Sequence, residues 1–255
     1  MIVSAKTAWI IGASSGIGAA LADRLAAEGI KVAISARSAD KLTSQAEQNA
    51  NLKAYPLDVG DHVACKSVAE QIAQDFGSID LVVFCAVRSG ATGNFHENMH
   101  QGIQVGLLGA TACLEPVMEH MVAKKSGHIT LIGSPVGFRA LPGTRSYGTV
   151  KAALHYLAES LRVEYEPLGI NTQLILPGFV DTPLTRRNSF QMPFLMSTDK
   201  AVERIYAGLC KPHKFEIAFP RRLIWSMRLI ATLPNFIYFA LASALKRRMD
   251  SEDDG

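Results

Sequence analysis

Apolar runs and amphipathic stretches alternate along almost the whole chain, joined by short connections rich in glycine and polar residues. Near-continuous apolar segments predict strands at 6–11, 31–36, 52–57, 80–85, 128–133, 170–176 and 214–218. Helical periodicity predicts helices at 17–28, 39–49, 62–76, about 97–123, 146–167 and 198–210. Strands that are apolar on both faces and alternate with helices imply an α/β fold, a parallel sheet of about seven strands covered by helices on both faces. Right-handed crossovers then place a ligand beyond the carboxyl ends of the strands, where the strand order switches. Gly12, Ala86, Ser134 and Pro177 all follow predicted strands at that end. The pattern predicts one such domain over 1–255, with an apolar helical extension of it over 220–255.

The first strand runs into Gly12-Ala-Ser14-Ser15-Gly16-Ile17-Gly18 and then into an amphipathic helix. A strand, a glycine-rich turn and a helix start form a phosphate-binding element. Backbone N–H groups at the helix start face a pyrophosphate, and glycines let it come close. The second strand ends at Ala36, where an NAD-binding unit usually has a carboxylate for the ribose 2′-hydroxyl, and Arg37 follows. Loss of the acid removes repulsion against a 2′-phosphate, and the guanidinium offers it charge-assisted hydrogen bonds. NADP(H) is therefore the cofactor expected.

Tyr147 and Lys151 are four residues apart in Ser146-Tyr-Gly-Thr-Val-Lys151, one helical turn, so both project from the same face. A phenol titrates near ~10, and a neighbouring ammonium favours its ionised form. Such a tyrosine can protonate a carbonyl oxygen or deprotonate an alcohol. By itself such a pair is far more often a half-buried tyrosine beside a solvated lysine, and the catalytic reading depends on what surrounds it. Ser134, at the end of the strand thirteen positions earlier, adds a hydroxyl for the same substrate oxygen. Leu176-Pro177-Gly178-Phe-Val180-Asp-Thr182 supplies a rigid turn whose backbone and Thr182 hydroxyl suit a nicotinamide amide.

Composition narrows the partners. A net charge of +3 over 255 residues, with no basic stripe interleaved with aromatics, argues against nucleic acid. The four cysteines, Cys65, Cys85, Cys113 and Cys210, lie far apart and read as reduced thiols of a cytoplasmic protein. His96 and His100 have metal-ligand spacing but no evident third ligand, so no metal is expected. Residues 1–5 are expected to lead directly into the first strand, without a cleavable signal peptide.

These motifs together resemble the short-chain dehydrogenase/reductase family, over about residues 6–218. The resemblance implies a Rossmann-type doubly wound domain, a nicotinamide cofactor and metal-free hydride transfer between that cofactor and a carbonyl or secondary alcohol, with a small-molecule substrate. It makes Tyr147 the general acid/base, Lys151 the group that lowers its pKa and binds the ribose, and Ser134 the group that orients the carbonyl. Asp58, followed by Val59 after the third strand, would contact the adenine, and Ala86 would line the cofactor site. A homo-oligomer, dimer or tetramer, is implied as well. Three departures stand out. Ile11 replaces a common threonine, and Phe84-Cys85-Ala86-Val87 replaces an Asn-Asn-Ala-Gly segment. Counting back from Pro116 without gaps, Ile103 falls where many members carry an asparagine of the proton relay, unless a helix shift lets Gln104 substitute. These departures keep an alternative open: an NADP(H)-binding sensor or scaffold with impaired catalysis.

Beyond Pro220 the chain leaves the family pattern. Arg221-Arg222 precedes an apolar stretch interrupted by Arg228 and Pro234-Asn235, and Lys246-Arg-Arg248 closes it. Those interruptions predict two short helices instead of one membrane-spanning helix, which needs ~20 mainly apolar residues. Three uses fit: a lid over an apolar substrate pocket, which would favour a hydrophobic substrate, an oligomer interface, or a peripheral membrane contact through 221–248.

Overall fold

The computed structural model describes residues 5–88, 94–188 and 192–253, with side chains to 249. The expected lead-in from residue 1 and the last residues of the 220–255 extension therefore lie partly outside the described residues. Seven parallel strands form one sheet: β1 (Thr7–Ile11), β2 (Lys31–Ser35), β3 (Leu52–Ala54), β4 (Leu81–Phe84), β5 (Gly127–Ile132), β6 (Ile170–Pro177) and β7 (Glu216–Phe219). Their order is β3-β2-β1-β4-β5-β6-β7, so the direction of winding switches between β1 and β4. β3 is shorter than the 52–57 expected, although the Tyr55 and Leu57 amides still donate to the Ile34 and Ala36 carbonyls at 2.9 and 3.0 Å. Strand alternation feeds two cores. Trp9, Ile11, Val82 and Phe84 point to one face, against α3 (His62–Phe76), α5 (Gly109–Lys124) and α6 (Arg145–Tyr165). Ala8, Ile10, Leu81 and Val83 point to the other, against α1 (Gly16–Ala27), α2 (Ala39–Glu47) and α7 (Thr198–Leu209).

The helix expected over about 97–123 is divided. α4 (Phe95–Ile103) passes through a π-helical turn, Gln104–Leu108, before α5. Such a turn inserts one residue and rotates the following face by about 100°. Ungapped counting from Pro116 therefore does not track the cleft-facing side. Glycines set the closeness of this helix to its neighbours. A methyl group on Gly102 would collide with the Ser146 hydroxyl, and one on Gly106 would lie 2.5 Å from Val150 Cγ1. The Ser146 hydroxyl donates to the Asn98 carbonyl at 3.1 Å, tying α4 to the start of α6. Beyond Pro220 come α8 (Arg221–Thr232) and α9 (Asn235–Asp253): two helices as expected, broken at Pro234, but α9, with 19 residues, is not short. Among the described residues no helix is long and apolar enough to cross a membrane.

Candidate active site

One cleft opens at the carboxyl end of the sheet, at the β1/β4 switch. Every residue read from the sequence as cofactor-binding lines it: Gly12, Ser14, Ser15, Gly16, Ile17, Gly18, Arg37, Asp58, Val59, Ala86, Tyr147, Lys151, Pro177, Gly178, Val180 and Thr182. The glycine turn is built from close approaches. Gly12 has φ +93°, and a methyl group there would lie 2.7 Å from the Ala86 amide nitrogen. Gly18 faces the Gly12 carbonyl, which a methyl group would meet at 2.3 Å. The Gly12 and Ala13 amides donate to the Ser35 carbonyl at 2.7 and 3.0 Å, which locks the turn to the end of β2. Without Cβ atoms on its glycines, the turn leaves the backbone at the start of α1 open to a phosphate-bearing group. Arg37 stands exposed just past β2, and Asp58 accepts from the Gly60 amide at 3.0 Å.

The floor of the cleft carries Tyr147 and Lys151, which α6 presents on one face, with the Lys151 ammonium 5.5 Å from the Tyr147 ring centroid. Lys151 is 3% exposed and donates to the Ile132 carbonyl at 2.6 Å. Burial lowers its pKa to about 8. Burial also raises Tyr147, against which a hydrogen bond with the Ser134 hydroxyl acts. Lys151 was expected to draw the phenol toward neutrality. Instead, desolvation dominates both groups, and Ser134 is the neighbour that favours the phenolate. Ser134 does not itself line the cleft. It is buried, with its hydroxyl accepting from the Val136 amide at 3.3 Å.

Two positions on the helix behind Lys151 differ from expectation. Ile103 packs into the core, and Gln104 donates to the Gly60 carbonyl at 3.2 Å, so it does not replace the asparagine. Val105 is the residue of this stretch that lines the cleft. Sequence reading also missed His155, which continues the four-residue spacing from Tyr147 through Lys151 and could have been found by it. His155 lies under the Ser134 segment, its ring edge-on to Phe138 at 5.3 Å, and its Nε2 is buried without a partner. Burial first, and the nearby Lys151, lower its pKa to about 4, so the ring is neutral near pH 7. Arg88 is a further cleft residue the sequence reading did not single out.

His96 and His100 stack at 6.3 Å, and among the described residues no three His, Cys, Asp or Glu side chains group as metal ligands.

The family model for short chain dehydrogenases matches residues 6–192. An uncharacterized oxidoreductase of Myxococcus xanthus is 36% identical over 251 residues, which cover 96% of this chain and 99% of the relative. A further uncharacterized oxidoreductase, from Mycobacterium tuberculosis, is 32% identical over 194 residues, covering 72% of this chain and 76% of the relative. Among solved structures, a short-chain dehydrogenase from Streptomyces avermitilis superposes with a TM-score of 0.79 at 24% identity, covering 99% of this chain and 100% of that one. ElxO, solved with NADP bound, superposes with a TM-score of 0.75 at 24% identity, covering 84% of this chain and 97% of that one.

Proposed function

The chain belongs to the short-chain dehydrogenase family, a family of oxidoreductases, and on that premise we propose that it is an NADP(H)-dependent reductase or dehydrogenase acting on a hydrophobic carbonyl or secondary alcohol. The observation that carries this reading is the meeting, in one cleft, of a glycine turn with no room for side chains and the Tyr147–Lys151 pair. The residues suit a nicotinamide dinucleotide: Gly12, Gly16 and Gly18 would hold the pyrophosphate, Arg37 the 2′-phosphate and Asp58 the adenine. Pro177, Gly178, Val180 and Thr182 would face the nicotinamide, and Lys151 the ribose. The bound nicotinamide supplies hydride for reduction or accepts it for oxidation. The protein's own part is the proton. Tyr147 gives it to the carbonyl oxygen, or takes it from the alcohol, from a position supported by the Ser134 hydroxyl. The Lys151 ammonium, 5.5 Å from the Tyr147 ring centroid, would steady the phenolate left when the proton is given up.

A catalytically impaired sensor draws support from apolar Val105, which lines the cleft near where a relay asparagine is usual. Assembly of Ser134, Tyr147 and Lys151 at one place weighs against it.

The test is cofactor oxidation, followed with NADPH and a panel of apolar ketones and aldehydes. Turnover is expected on at least one, and Tyr147→Phe should lower its kcat about 10²- to 10⁴-fold. Wild-type turnover in that variant would refute the proton assignment. Arg37→Ala should weaken NADPH binding and leave NADH binding nearly unchanged; an unaltered preference would remove Arg37 from the reading.

A further inference from the structure

Most of the large apolar side chains on α8 and α9 are exposed. Trp225 and Leu229, one turn apart on α8, are 67% and 68% exposed. On α9, Phe236, Ile237, Phe239, Leu241 and Leu245 are all exposed, Phe236 to 76%. At about 100° per residue these five are spread over roughly 240° of the helix circumference. An ordinary amphipathic helix meets a protein through a stripe only a little wider than about 100°. A flat partner surface would therefore leave part of this apolar circumference in water, whereas hydrocarbon surrounds an inserted helix on every side.

Charge points the same way. Between 221 and 249 there are six Lys or Arg and no Asp or Glu. Arg221 and Arg222 open α8, and Lys246, Arg247 and Arg248 follow the apolar run of α9, all exposed. Arg228 belongs to the protein side, with two hydrogen bonds to Glu216 at 2.6 and 2.5 Å. The acids Asp250, Glu252, Asp253 and Asp254 lie only beyond the basic cluster. Apolar residues including Trp and Phe, bounded by cations, have the chemistry of a segment inserted part-way into an anionic bilayer. The ten residues 236–245 span about 15 Å, half of a hydrocarbon core of about 30 Å, so they suit one leaflet.

We propose that α8 and α9 form a docking module for an anionic lipid leaflet, with the apolar circumference of α9 inserted and the flanking Arg and Lys residues at the headgroups. Besides the Arg228–Glu216 pair, the module is joined to the surroundings of the cleft at two places. Arg139 donates to the Ala231 carbonyl at 3.2 Å and to Asn235 Oδ1 at 2.7 Å, with its guanidinium 4.1 Å from the Tyr238 ring centroid. The Tyr238 hydroxyl donates to the Ala140 carbonyl. The first place is thus the segment between Ser134 and Tyr147. The second is α8, whose Leu223 lies against Gly178, a residue of the cleft: a methyl group on Gly178 would be 2.7 Å from Leu223 Cδ2. Docking on lipid would hold both segments in a fixed relation to the bilayer.

The experiment is flotation of the full chain with phosphatidylcholine vesicles, with and without phosphatidylglycerol. Binding is expected only with phosphatidylglycerol, falling as salt rises. Replacing Phe236, Phe239 and Leu241 together by serine should weaken it at least tenfold with the fold intact by circular dichroism. Lys246→Gln with Arg247→Gln and Arg248→Gln should weaken it severalfold. Absence of vesicle binding, or binding unchanged by the triple serine variant, would overturn the proposal. So would a dimer, seen by light scattering of the wild-type chain, that the serine variant dissociates, because a second copy would then cover the face. None of these readouts depends on catalytic turnover.

Discussion

The two longest helices described, α6 with 21 residues and α9 with 19, depart from the usual surface pattern in opposite directions. α6 turns polar side chains inward: Lys151 and His155 are buried, and burial lowers the pKa of both. α9 turns apolar side chains outward, with Phe236 and Phe239 in water and only Tyr238 among its large residues buried. Neither arrangement favours a stable fold in water. A buried ammonium and a buried unpaired imidazole nitrogen both cost free energy. An exposed phenylalanine forgoes about 1.5–3 kcal/mol of possible burial. The difference teaches where each cost is recovered. On the two readings proposed above, for α6 it would be inside the protein, at the proton-transferring group, and for α9 in a second solvent.

The strongest challenge to this comparison is removal of the buried charge. Lys151→Met keeps most of the side-chain length without the ammonium. It should lower kcat/KM by about 10²- to 10⁴-fold, while thermal unfolding should show a Tm equal to or above that of the parent. A large fall in Tm would mean that Lys151 stabilises the fold and would break the contrast with α9.

The next effect is a pH dependence. His155 and His128 are buried neutral, each with a folded pKa lowered to about 4 by burial from an ordinary value of 6.5. Between those values the unfolded chain binds more protons than the folded one. Stability is therefore fully present above pH 6.5 and falls as pH drops toward 4, by roughly 3 kcal/mol for each histidine at most. Denaturant midpoints measured from pH 7 to 4 should show the fall. His155→Leu should flatten it by about half, and an unchanged slope would show that His155 is not the titrating group.

Smaller is the effect of adding a carbon where α4 and its π-helical continuation meet α6. Gly106→Ala pushes a methyl group into Val150 and should destabilise by about 1–3 kcal/mol, read as a Tm lower by about 2–12 °C. Smallest of all is Phe236→Ser on α9, which should change stability by less than about 0.5 kcal/mol in water. A larger loss would show that the side chain is buried against protein.

Much of this was legible in the sequence for identifiable reasons. The glycine turn could be read because Gly12, Gly16 and Gly18 are each forced by a contact or a backbone angle. The strands could be read because burial on both faces leaves unbroken apolar runs. The cleft residues followed from the rule that ligands gather where strands end. The π-helical turn was not legible, because one inserted residue leaves the local apolar pattern nearly unchanged. The electrostatics of Tyr147 were misjudged for a different reason. A four-residue spacing reveals that two groups share a face but not how much water remains around them.

The stripe formed by Gly102 and Gly106 has a consequence for anyone interpreting natural variants of this protein. Its value lies in atoms that are missing, so damage there comes by addition. A change as mild as glycine to alanine, which alters no charge and deletes no hydrogen-bonding group, would press on the helix carrying Tyr147 and Lys151. A scan that removes side chains one at a time would never find it.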